Sequence, residues 1–180
     1  MPETYRCPSN LRHVGNMTSY VAVVGPDTAW PGAQPADREA IRDGVQNTIL
    51  VVETANASIH WMEPRDLPFS AATAGINAKV GPAISSEHVQ AAGILSCEVG
   101  ANVLFADYHV RFLPENLDGT ILTAMLTRAG GESVAADRIQ AARVDTAKIV
   151  TLSIVLVAIV VFVATVEKLL RVREAPAVLG

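Results

Sequence analysis

Eighteen consecutive residues near the C-terminus, Ile149 to Val166 (IVTLSIVLVAIVVFVATV), carry no charge. A helix of that length spans roughly 27 Å, close to the thickness of a bilayer's hydrocarbon core. Thirteen of the residues are Ile, Leu, Val or Phe, and on an insertion scale they sum to roughly −4 to −8 kcal/mol. The apolar character runs all the way round rather than along one stripe, which suits lipid better than a core helix or buried strand. The run predicts one transmembrane helix, with the lipid bilayer as partner and a single-pass membrane localisation. Arg138, Arg143 and Lys148 before it balance Lys168, Arg171 and Arg173 after it, so charge leaves its orientation a tie. MPETYRCPSNLRHVGNMTSY at the N-terminus contains no apolar run that could act as a signal peptide.

This segment accounts for a hydrophobic fraction of 50% in a chain with only 5% aromatics. Fourteen Lys and Arg against 18 Asp and Glu give a net charge of −4, so there is no electrostatic footprint for a polyanion and nucleic acid is excluded as a partner. With 180 residues the chain has room for one domain and an accessory segment. We read a head over 1–132, a helical stalk over 133–148, the span over 149–166 and a short tail over 167–180.

Within the head, β-branched or alternating runs at Ser19 to Val24 and Thr48 to Thr54 predict strands, and Ser58 to Met62 reads as a partner strand after a turn at Asn56-Ala57. Pro35 to Glu39 opens a short helical turn, Pro64 and Pro68 interrupt regular structure, and Ser70 to Ser96 reads as loops with one short helix. ANVLFADYHVRFL, Ala101 to Leu113, reads as a hairpin around Asp107-Tyr108. A two-residue turn of this kind favours Asn-Gly or Asp-Gly, so Tyr108 is expected to sit there under strain, with Val103, Phe105, Val110 and Phe112 covering one apolar layer. Asp118 caps a helix through Arg128, in which Ile121, Leu122, Met125 and Leu126 form a stripe and Gly130-Gly131 supplies the stop.

Candidate chemistry is sparse. His60, Glu63 and Asp66 lie close in IHWMEPRD, but Pro64 breaks the helix that would align them as metal ligands. Ser85-Ser86-Glu87-His88 sets a hydroxyl near an imidazole without the glycine-framed serine of a nucleophile elbow. Neither a dinucleotide-binding glycine pattern nor a P-loop occurs. Asn16-Met17-Thr18 and Asn56-Ala57-Ser58 match glycosylation acceptors, a pattern short enough to arise by chance. Cys7 and Cys97, the only cysteines, stand in no C-x-x-C pair, and without an export signal they read as unpaired, half-buried thiols. Trp30 and Trp61 read as core anchors, or as walls of a groove if the protein binds a ligand. No catalytic, cofactor-binding or metal-binding residue is assigned.

Several stretches in order, YRCPSN, TSYVAVVGPDTAWPG, DGVQNTILVVE, IHWMEPRDLPF and ANVLFADYHVRFLPENLDGTILTAMLTRAGGE, resemble the domain-of-unknown-function family 1559 of planctomycete bacteria, also labelled solute-binding protein family 10. The resemblance covers most of Tyr5 to Glu132. It implies a pseudopilin-like protein in which an N-terminal prepilin helix precedes a β-rich head ending in His-x9-Asp-Gly. That helix is missing here, which points to a truncated, split or rearranged gene. Cys97 stands where the family has His and Tyr108 where it has Gly. Related pseudopilin heads bind calcium through loop oxygens, and no dense acidic loop of that kind is present.

These readings together predict an α+β protein: a mostly β, pseudopilin-like head with a hairpin and a packed helix, plus one C-terminal transmembrane helix. The expected function is that of a membrane-anchored, non-enzymatic structural or interaction protein with protein partners in the cell envelope. The alternatives are an extracytoplasmic solute-binding module and a decayed fragment of such a protein.

Overall fold

A computed structural model of the chain describes residues 1–10, 15–32, 34–91 and 97–131. All of them fall within the first of the chain's two units, Met1–Ile139. The strands are β1 (Tyr20–Val24), β2 (Ile49–Glu53), β3 (Leu67–Pro68), β4 (His88–Ala91), β5 (Cys97–Phe105) and β6 (Val110–Pro114), and the helices are α1 (Phe69–Ala72) and α2 (Gly119–Leu126). Short 3-10 turns occupy Glu3–Tyr5 and Arg38–Ala40.

The expected α+β head with a transmembrane helix is corrected. Among the described residues the fold is a mostly β, six-stranded sheet with two helices. The longer helix has eight residues and so reaches only about 12 Å. Among the described residues no helix is long and apolar enough to cross a membrane. The run Ile149 to Val166 and the stalk 133–148 lie outside the described residues, so neither a single-pass membrane localisation nor a transmembrane anchor is supported.

The sheet is organised around β5, whose nine residues outrun every partner. One of its edges pairs with β6 from Gly100 to Leu104. Along the other edge β2 takes Val103 to Phe105 and β4 takes Cys97 to Gly100, both antiparallel. Outside β2 lies β1, antiparallel, and outside that the short parallel β3. Alternation along the strands sends Val21, Val23, Val52, Ala101, Val103 and Phe105 to one face, where all are buried. Leu122, Met125 and Leu126 of α2 close that core. Asp118 caps the helix as expected, its carboxylate accepting from the Thr120 N–H at 2.7 Å, and those hydrogen bonds hold its carboxyl below the ordinary carboxylate range.

Two expectations fail for local reasons. Ser58 to Met62 is not a strand: Ser58 adopts φ 50°, and only an isolated bridge links Met17 to His60. The hairpin turn holds three residues rather than two. The Tyr108 N–H donates to the Phe105 carbonyl at 2.9 Å and the Phe105 N–H donates to the His109 carbonyl at 3.0 Å, while Tyr108 alone in the hairpin takes the left-handed conformation, at φ 68°. This is a turn closed by a bulge, with tyrosine at the position that normally carries glycine. The extra residue shifts the register, pairing Leu104 with Val110 and Asn102 with Phe112. A one-residue shift exchanges faces, so Val110 is 65% exposed and Leu113 is buried instead. Arg111 then lies 5.4 Å from the centre of the Phe105 ring, and the His109 imidazole stacks on the same ring.

Tyr108 is 78% exposed and has little packing to lose. Tyr108→Gly is expected to raise the urea midpoint by up to about 1 kcal/mol of stability, the left-handed strain released less the flexibility added to the unfolded chain. A lower midpoint would contradict this. Gly100 is the opposite case, since a Cβ there would stand 2.1 Å from the Leu113 carbonyl oxygen and 2.7 Å from the Phe112 ring. Gly100→Ala should cost about 1–3 kcal/mol in the same assay, and an unchanged midpoint would show that β6 gives way freely.

Candidate functional site

Because β2 and β4 share one edge of β5 end to end, the backbone between their pairings has no strand opposite it. The Asn102 N–H in that gap donates to the Glu53 carboxylate at 2.8 Å. Glu53 closes the apolar run of β2 and, following Val52, points to the face opposite the core. It is 3% exposed. His88 opens β4 and is paired with Gly100, which places its ring beside the same carboxylate: His88 Nε2 lies 2.9 Å from Glu53 Oε1.

The N-terminal segment covers this face. The Ser19 N–H donates to the Tyr5 carbonyl at 2.8 Å, and the Cys7 N–H donates to the Ser19 hydroxyl at 3.0 Å. These bonds lower Cys7, 3% exposed, onto the cluster, with its Sγ 3.2 Å from His88 Nε2. The three ligand-type atoms of Cys7, Glu53 and His88 all lie within 4.8 Å of one another. Tyr20, in register with Glu53, borders them; burial, with Cys7 and Glu53 beside it, pushes its phenol up to about 12. Burial likewise pushes the Cys7 thiol above its ordinary value, while the Ser9 and Asn10 backbone N–H groups act on the sulfur in the opposite sense.

The residues singled out from sequence are mostly employed elsewhere. His60 Nδ1 accepts from the Met62 N–H, Glu63 pairs with Arg65 at 2.6 Å, and Asp66 accepts the Ala22 N–H at 2.9 Å, so these three form no site. Ser85 donates to Asn56 Oδ1 and Ser86 accepts the His88 backbone N–H, so both hydroxyls are engaged by groups other than the imidazole ring. Asn56 also donates to the Gly81 carbonyl and serves as a loop tie. Trp30 and Trp61 are half-buried and outside the core: the Trp30 indole N–H donates to the Leu50 carbonyl at 3.0 Å, and Trp61 tilts against Tyr5. Cys7 and Cys97 are both free, as expected, but one is buried and the other exposed rather than both half-buried. Asp107 and His109 pair within the turn.

Among the described residues, Cys7, Glu53 and His88 are the one group with the composition and closeness of a metal site. Compared with known proteins, the chain matches no family model, no curated protein and no solved structure.

Glu53→Ala should destabilise the domain by at least about 2 kcal/mol in chemical denaturation, because it strands the Asn102 N–H and uncouples His88. A loss no larger than that of an exposed Glu→Ala control such as Glu115→Ala would show that water replaces the carboxylate without cost.

Proposed function

We propose that the domain is a non-enzymatic interaction module that works by contact with another protein, the role implied by the resemblance of Tyr5 to Glu132 to a cell-envelope family. The observation that carries this reading is an apolar continuation of the core face beyond the core. Val99 follows Ala101, Val103 and Phe105 on that face of β5, and it is paired with Val89 of β4, as Cys97 is with Ala91. Val89 is 60% exposed and Val99 37%. Adjoining apolar side chains in register on an open strand pair make a contact surface, unlike scattered surface valines.

The arrangement of the reactive side chains also favours contact over catalysis. A histidine that activates a thiol addresses the nucleophile with one ring nitrogen and its orienting carboxylate with the other. Here both distances are to Nε2, so His88 bridges Cys7 and Glu53 rather than relaying a proton between them. The solute-binding alternative calls for a concavity walled by Trp30 and Trp61. Among the described residues, a depression of about 420 Å³ near β3 is lined by Ile59, Arg65 and Leu67 among others and by neither tryptophan.

Val89→Arg changes an exposed side chain and should leave the thermal midpoint unchanged while cutting protein partners recovered by crosslinking in cells at least about tenfold, the effect of losing one well-packed apolar contact. Undiminished crosslinking, together with a solute that raises the midpoint of both proteins, would favour the solute-binding reading.

A further inference from the structure

We propose that Cys7 Sγ, Glu53 Oε1 and His88 Nε2 are ligands of a divalent transition-metal ion, zinc fitting best, held where the N-terminal segment meets the sheet. Tetrahedral zinc, with bonds of about 2.3 Å to sulfur and 2.0–2.2 Å to nitrogen and oxygen, sets sulfur and nitrogen about 3.5 Å apart and nitrogen and oxygen about 3.4 Å apart. The observed separations are 3.2 Å and 2.9 Å. Each of these two pairs thus needs to part by only a few tenths of an ångström, and Cys7 Sγ and Glu53 Oε1, within 4.8 Å of each other, are near enough for one ion to draw together. The donor set is selective: a thiolate and an imidazole discriminate against calcium and magnesium, which take oxygen ligands.

Each ligand is also oriented by a neighbour, as metal sites require. Glu53 engages the Asn102 N–H through Oε2, leaving Oε1 for the ion. The Ser19 hydroxyl fixes the Cys7 backbone, and the Ser86 hydroxyl accepts the His88 N–H at 3.1 Å. The Ser9 and Asn10 amides face the sulfur, where they stabilise negative charge. With Cys7 and Glu53 buried and the His88 side chain 23% exposed, the ion would exchange with solvent past the His88 ring. Binding displaces the Cys7 proton to solvent as the sulfur–metal bond forms. The ion would join segments 81 and 35 residues apart in the chain and so stabilise the fold as well as occupy it.

The test uses untagged full-length protein, stripped with chelator and titrated with Co²⁺ and then Zn²⁺. The expected result is one ion per chain, a thiolate-to-cobalt charge-transfer band that zinc abolishes, and a thermal midpoint that rises with zinc concentration. The band should persist in Cys97→Ser and vanish in Cys7→Ser. Zinc X-ray absorption of the wild-type protein, which needs no variant to fold, should report one sulfur at about 2.3 Å with nitrogen and oxygen neighbours. Absence of the charge-transfer band, a band that follows Cys97, or a zinc shell without sulfur would each overturn the proposal.

Discussion

A strand longer than any of its partners leaves a join along its edge, and the backbone exposed at that join has to be satisfied. In β5 the join falls between β2 and β4, and the Glu53 carboxylate fills it by accepting the Asn102 N–H. An unpaired buried amide costs about 1–3 kcal/mol, so the sheet's continuity depends on that carboxylate. A buried carboxylate in turn needs partners of its own, and the nearest element able to supply one is the start of β4. His88 stands there, and the N-terminal segment then closes over both.

The two faces of the sheet have consequently diverged. One is an aliphatic and aromatic core sealed by α2, with Phe105, Leu113, Leu122 and Leu126 all essentially inaccessible. The other carries the polar residues whose spacing is set by strand register: Tyr20 beside Glu53, and His88 level with Gly100. The absence of a side chain at Gly100 lets β6 approach closely, so the same register that seats His88 also determines how tightly the far edge of β5 can pair.

Much of this architecture can be read in the chain because it follows local rules. Tyr20–Val24 and Ile49–Glu53 are β-branched runs, and α2 has a cap, an apolar stripe and glycines beyond it. β4 carries no such signal: in HVQA no residue is fully buried, and the strand exists only because β5 extends far enough to pair with it. The hairpin at Asp107-Tyr108 was legible as a turn, but its type was not, since one bulged residue changes which side chains face inward without changing the pattern around it. The Cys7, Glu53 and His88 cluster is invisible to any search for close spacing. Its one local hint is a glutamate ending an otherwise apolar strand, ILVVE. Ile149 to Val166 shows the reverse difficulty, a strong local pattern for which the described residues hold no counterpart.

The span between Cys7 and His88 has a consequence during synthesis. The cysteine leaves the ribosome 81 residues ahead of the imidazole that covers it, and at roughly 5–20 residues per second that interval lasts about 4–16 s. Throughout it the thiol belongs to an unfinished sheet and is open to oxidants, electrophiles and stray metal ions. A residue that is among the least accessible in the finished domain is therefore among the most accessible in the nascent chain, the state in which its sulfur meets reagents most readily.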